Sequence, residues 1–372
     1  MYRIAAVAFL CVSCLCAQAP FNPQELMKEA VEAQQSGKYD QAIHNYRLIL
    51  EKYPRVPEIR SNLGAALAAE GNYTEAIKEY QQALALKPNS QVQLNLALAY
   101  YKSGDIRSAV DVLKKVHEDA PSNQQTTTLL ADCYLRLGQN KDVIALLTPV
   151  QQAEPDNKTF IYLLGTALVR DGQAAQGQLM IDRILKNGDS AEAHLLMGTT
   201  KFMVSDFSGA LEDLQKAIDL NPNLPDLYTY YGQALLVTGD QAGARKAFER
   251  ELQIDSNNFD SNLRMGVLLR QDEQNDKALQ YLQHALQIRP GDFGVRYQIA
   301  TVEIAEGEIE KAQRDLESLV KEAPQFVEAH VSLATVYFRE KRKEDGNRER
   351  ALVAKLNSER QAANEIAAKP GK

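Results

Sequence analysis

Tryptophan is absent from the 372 residues, aromatic side chains make up 7%, and there are 5 histidines. Cysteine is equally scarce. Three of the 4 cysteines are Cys11, Cys14 and Cys16, so beyond the first twenty residues only Cys133 remains and no disulfide can form within that part. Positive charge is in deficit: 42 Lys and Arg face 49 Asp and Glu, a formal net charge of −7. That balance excludes nonspecific nucleic-acid binding, which depends on surplus Lys and Arg to neutralise phosphates. The sequence has no glycine-rich loop ending in Gly-Lys-Ser/Thr, no dinucleotide fingerprint and no His-Glu-x-x-His pair, so neither a nucleotide cofactor nor a zinc centre is expected. What it does have is 45% hydrophobic residues, enough for a packed core.

Residues 1–19 read as an export signal. Arg3 supplies the positive start, and Ile4 to Ala17 is apolar apart from Ser13, too short for a bilayer span of ~20 residues. Ala17-Gln18-Ala19 is a small-x-small cleavage site, and Pro20 shifts the cut by a residue or two. Lipidation fits less well, because neither Cys14 nor Cys16 has a Leu-like residue three positions earlier. The mature chain is therefore expected without a transmembrane segment in an exported compartment, periplasmic or extracellular, with a peripheral position on the outer membrane among the options.

A period near 34 dominates the rest. Prolines stand at Pro54, Pro88, Pro121, Pro155, Pro222, Pro290 and Pro324, and glycines keep the same time seventeen residues ahead of that beat, from Gly37, Gly71 and Gly104 to Gly307. Ten repeats fit residues 23–360: 23–56, 57–89, 90–123, 124–157, 158–190, 191–224, 225–258, 259–292, 293–326 and 327–360. Counting positions within a repeat from slot 1, slot 8 is always Gly or Ala, from Ala30 and Gly64 to Ala334. Slot 7 is large and apolar in nine of ten, and slot 24 behaves alike, as in Leu63 and Tyr80.

The segment from Asn62-Leu63-Gly64 through Gly71-Asn72-Tyr73 to Tyr80, Ala83 and Pro88 resembles the tetratricopeptide repeat (TPR) family. The resemblance covers residues 20–360 and implies an all-α fold, a right-handed α-α superhelix of about ten helix-turn-helix repeats. The pattern has a physical reason. Slots 7, 8 and 11 share one face of a first helix; slots 20, 24 and 27 share one face of a second. Small residues let the pair approach, and large ones fill the seam. Glycine at slot 15 ends the first helix through positive φ, and proline cannot continue the second. One pair cannot bury its apolar face alone, so neighbours stack into a solenoid. Gly177, inside the second helix of repeat five, is expected to loosen residues 171–190, since mid-helix glycine costs ~1 kcal/mol relative to Ala. Repeat ten, with Lys341 in the turn and Arg350 at slot 24, reads as a polar cap, and residues 361–372 as a disordered tail.

The repeats leave no room for a catalytic domain, so no enzyme activity and no cofactor are expected. His194 and His330 at slot 4, and Cys133 at slot 10, read as packing residues. The resemblance implies a concave groove lined by slots 2, 5, 9, 12 and 13 of the first helices. On those slots lie a basic ladder of Lys102, Arg136 and Arg170, and large side chains that include Tyr101, Tyr162, Phe202, Met203 and Leu236. Asn62 and Asn95 share slot 6, where Asn bonds a bound peptide backbone in some family members. These residues suit a peptide or protein partner carrying a few acidic groups. The expected function is a protein-interaction scaffold in envelope assembly. The alternatives are a lipid-anchored member of that class and an accessory subunit of a carbohydrate-processing enzyme.

Overall fold

The computed structural model describes residues 22–186 and 188–367. The expected signal at 1–19 lies outside them. Internal contacts divide the chain into two compact units, one ending at Val92 and one beginning at Gln93. The described residues of the first unit hold α1 (Pro23–Gln35), α2 (Tyr39–Lys52), α3 (Pro57–Ala69), α4 (Tyr73–Leu86) and the start of α5 (Ser90–Ser103). The second continues α5 and adds α6 (Ile106–Asp119), α7 (Gln124–Arg136), α8 (Asn140–Ala153), α9 (Lys158–Arg170), α10 (Ala174–Leu185), α11 (Ala191–Met203) and α12 (Phe207–Leu220). It ends with α13 (Leu227–Val237), α14 (Gln241–Ile254), α15 (Phe259–Gln271), α16 (Asn275–Ile288), α17 (Phe293–Glu306), α18 (Ile309–Glu322), α19 (Val327–Arg339) and α20 (Lys343–Ala367). Among the described residues the architecture is all-α, ten helical pairs in sequence order.

Helix boundaries follow local chemistry. Asn72, Asp105, Asp206 and Asp240 each accept the backbone N–H three residues on, capping a second helix. Asn123, Asn157, Asn258 and Asp292 do the same for first helices. All ten slot-15 residues have positive φ, but three are not glycine: Ser205 (65°), Glu273 (61°) and Lys341 (64°). Left-handed backbone costs an L-residue roughly 1–2 kcal/mol, and glycine's larger unfolded-state entropy returns 0.5–1 kcal/mol of that. Glu273→Gly should therefore raise stability by up to about 1 kcal/mol. An unchanged or lower urea midpoint would contradict it.

The seam within each pair shows why slot 8 is small. A Cβ on Gly232 would stand 2.7 Å from the Phe248 ring, and one on Gly198 would stand 2.6 Å from Leu214 Cγ. Phe248 and Leu214 are fully buried. Gly177 has a similar role: a Cβ there would meet Val169 at 2.6 Å, so its bare backbone admits a neighbouring helix. α20 continues through Ala367, and residues 368–372 of the expected tail lie outside the described residues. From Ser358 to Ala367 there is neither Gly nor Pro, and Gln361-Ala362-Ala363 are strong helix formers.

Candidate protein-binding surface

In the second unit the slot-13 arginines do not stand as a solvent-facing strip. The side chains of Arg136 and Arg170 are each 16% exposed. Arg136 donates from Nε to Asp132 at 3.0 Å and from Nη1 to Asp255 at 2.5 Å, with its guanidinium 4.6 Å from the centre of the Tyr101 ring. Tyr101 donates its hydroxyl to the same Asp132 at 2.5 Å. Arg170 donates to the Tyr230 hydroxyl at 2.8 Å and to Asp226 at 2.9 Å.

These bonds join distant repeats. Asp226 and Asp255 sit in the loops before α13 and α15, whereas Arg136 and Arg170 end α7 and α9. Further contacts follow the same path. Asn257 Nδ2 donates to the Lys102 carbonyl at 3.1 Å, Arg289 Nε to the Arg136 carbonyl at 2.5 Å and Arg107 to the Pro290 carbonyl at 2.8 Å. Arg289 also lies 3.8 Å from the Phe259 ring centre. The second unit thus closes on itself, with the inner face of repeats three to five against the loops opening repeats seven to nine. One glycine eases the approach: a Cβ on Gly104 would meet the Asn257 side chain at 3.0 Å.

Electrostatics fit a closed contact. Burial pushes the Asp226 carboxyl up, but the guanidinium groups of Arg170 and Arg136 outweigh it and hold the group below its usual range. Burial lowers Arg136 and Arg170, but Asp132 and Asp255 beside the first, and Tyr230 and Asp226 beside the second, more than reverse this. Burial, aided by Asp132, drives Tyr101 upward, so its hydroxyl stays a donor. Asp226 itself has φ 67°, held by its side-chain bonds and by its N–H, which donates to Glu251 at 2.8 Å.

Glu251 is fully buried and also accepts the Tyr228 N–H at 3.1 Å. Burial, then Asp226, push its carboxyl up to about 8 from 4.5. An acid raised on folding favours the fold while protonated. Its contribution is present below the unfolded value and is lost as pH rises through the folded value. Glu251→Gln should thus flatten the fall in urea midpoint between about pH 5 and pH 9. Equal slopes for the two proteins would refute this assignment.

The other expected site residues are dispersed. Asn62 lies in the first unit, half-buried on α3 and bonded to Tyr46. Asn95 is half-buried on α5, and Lys102 is exposed with Nζ 5.9 Å from the Tyr101 ring centre. Tyr162 and Phe202 are half-buried, and Phe202 packs edge-on against Phe207 and Tyr230 with centroids 5.6 and 6.5 Å away. Solvent meets apolar surface at the carboxyl ends of α11 and α13. Met203 is 52% exposed, Val204 66% and Val237 54%, next to half-buried Phe202 and Leu236. Met203 and Val237 hold the same slot on adjacent first helices.

Sequence reasoning missed Asp226, Asp255, Asn257, Tyr230 and Arg289. Asn and Asp before a helix read as caps, and no periodic signal marks contacts across 56 to 155 residues. The packing histidines bond acids on the second helix of their own pair: His194 with Asp213 at 3.0 Å and His330 with Glu349 at 2.5 Å. Cys133 is buried, and burial raises its thiol, so it is unreactive. Among the described residues no His, Cys, Asp and Glu side chains converge as a metal-holding group, and no helix is long and apolar enough to cross a membrane.

Comparison with known proteins finds tetratricopeptide repeats along the chain. A family profile described as tetratricopeptide repeat matches residues 27–91 and 195–259, and a second of that description matches 269–330. One described as anaphase-promoting complex, cyclosome, subunit 3 matches 69–150. The intraflagellar transport protein 88 homolog of Homo sapiens is 28% identical over 106 residues, and the match spans 24% of this chain and 13% of that protein. The APC/C hetero-tetramer Cut9-Hcn1 aligns with 91% of this chain and 88% of its own, at TM-score 0.52 and 14% identity, a likeness of fold alone. MamA aligns with 45% of this chain and 97% of its own, at TM-score 0.40 and 18% identity.

Proposed function

From a chain that belongs to the tetratricopeptide repeat family, a protein-interaction scaffold, we propose a non-enzymatic adaptor that holds a partner protein by apolar contact at the carboxyl ends of α11 and α13. The observation that carries this reading is the exposure of Met203, Val204 and Val237 beside Phe202 and Leu236, on equivalent positions of neighbouring helices. Exposed apolar side chains in a cluster favour association by removing that area from water. Tyr101, Arg136, Tyr162 and Arg170 then shape the scaffold rather than the contact surface. The setting proposed is envelope assembly, on the strength of Arg3, the short apolar run and Ala17-Gln18-Ala19.

The test is chemical cross-linking in the native envelope, followed by affinity measurement with the partner so identified. Met203→Glu with Val237→Glu should weaken binding at least about tenfold, as expected for central apolar contacts, and the loss should persist at high salt. Lys78→Glu, at an exposed position of the first unit, should leave it unchanged. Equal losses in both variants would remove the α11–α13 surface from consideration. Mass spectrometry of the mature N-terminus would separately decide export, since an intact Met1 in the cytoplasm rules it out and an acylated Cys establishes the lipid-anchored alternative.

A further inference from the structure

Within the second unit, α19 shows the chemistry by which a first helix is seated on the pair before it. Its Ala329, Leu333 and Val336, at slots 3, 7 and 10, cluster with Ala300 of α17 and with Leu316 and Leu319 of α18. The spacing i, i+4, i+7 puts the three on one helix face.

Moving on by one period of 34 gives the same seat on α19 and α20. Ala334 stands for Ala300, Val353 for Leu319 and Arg350 for Leu316. These residues line a groove of about 500 Å³ with Val331, Phe338 and Ala354. Val331 is 48% exposed. The Phe338 ring rests on Gly346, where a Cβ would stand 2.8 Å away, and the Arg350 guanidinium is 5.9 Å from its centre. Among the described residues no carboxylate pairs with Arg350. Through Ala367 the chain does not turn back into the groove, since α20 runs as one helix from Lys343 past Asn357 at the groove's edge.

We propose that this end groove docks an amphipathic α-helix of another protein, apolar at i, i+4 and i+7 and carrying a carboxylate at its edge for Arg350. Two observations select that occupant. The groove repeats the centre of the interface by which α19 is held, with Ala334 and Val353 in the places of Ala300 and Leu319. Arg350 puts a cation in the place of Leu316, which calls for an acidic complement. A second copy of this chain is disfavoured. Its α1 carries Glu25, Glu29 and Glu32 at slots 3, 7 and 10, all exposed. Three carboxylates there would lose hydration against Val331 and Val353 with one cation to pair them, and the same charges oppose head-to-tail fibres. This site is separate from the α11–α13 surface and does not depend on it.

The experiment uses the full chain and a fluorescein-labelled peptide of residues 325–342, the segment containing α19, which also carries the acids Glu328 and Glu340. Fluorescence anisotropy should show saturable binding. The same peptide with Ala329→Glu, Leu333→Glu and Val336→Glu should bind at least about tenfold more weakly. In the protein, Val353→Glu and the exposed Val331→Glu should each weaken the first peptide about tenfold, with unchanged helical content by circular dichroism. Arg350→Glu should weaken it about threefold at low salt and less at high salt. Equal binding of both peptides, or unchanged affinity in both valine variants, would overturn the proposal. Unchanged affinity in Arg350→Glu would overturn its acidic part. Concentration-dependent self-association abolished by Val331→Glu would assign the groove to a second copy instead.

Discussion

Arg136→Ala should cost the second unit about 3 kcal/mol and open the contact between repeats three to five and seven to nine. The side chain is only 16% exposed, Asp255 only 17%, and the pair is 2.5 Å apart. Removing the guanidinium leaves Asp255 and Asp132 partly buried without their cation, and the Tyr101 ring without the group stacked on it. Truncating one partner of a buried pair costs 3–5 kcal/mol, and the 32% exposure of Asp132 puts this case at the lower end. An exposed pair supplies the contrast. Arg47 and Glu75 of the first unit are 52% and 47% exposed, so Arg47→Ala should cost under ~1 kcal/mol. Urea denaturation gives the two losses, and small-angle scattering reads the opening as a larger radius of gyration for Arg136→Ala. Because the pair is shielded, the difference should survive in high salt. Indistinguishable midpoints for the two variants would mean that the closure carries no energy.

Gly266→Val should be as damaging, by overpacking. A Cβ at 266 would stand 2.6 Å from Leu282 Cγ, 2.7 Å from its Cδ2 and 3.3 Å from the Ala278 carbonyl oxygen. Leu282 is fully buried. Extra methyl groups in a filled core cost 1–3 kcal/mol and occasionally more, and the nearby backbone oxygen cannot move aside, so about 3 kcal/mol is expected. Leu282→Ala alone should cost 2–5 kcal/mol by leaving a cavity. The two changes are complementary in volume, so the double variant should fall short of the sum by more than ~1 kcal/mol. Strict additivity would show that slots 8 and 24 do not share the seam.

The two assignments differ in how far the sequence carries them. Gly266 facing Leu282 is a relation within one repeat, visible because nine of the ten repeats pair a small slot 8 with a large apolar slot 24. Arg136 was legible as a groove position but not as a latch. Its partner Asp255 is 119 residues away, and an acid ahead of a helix has the look of an ordinary cap. The apolar surface falls between these cases. Met203 and Leu236 stood out as groove residues, yet exposure separates Met203 from half-buried Phe202 and Tyr162.

The sequence by itself determined the helical pairs, their turns and the seam, because these depend on contacts within about 34 residues and on side-chain size at fixed spacing. It also determined the acidic, cysteine-poor character of the chain, which is composition alone. Only the tertiary structure decided that Arg136 and Arg170 face inward, that Glu251 is buried against the backbone N–H groups of Asp226 and Tyr228, and that the described residues leave the groove of α19 and α20 open. The inward turn of the two arginines depends on how small rotations accumulate from repeat to repeat. A one-dimensional pattern records that neighbours stack, but the summed rotation over five repeats sets which loop returns to meet which helix.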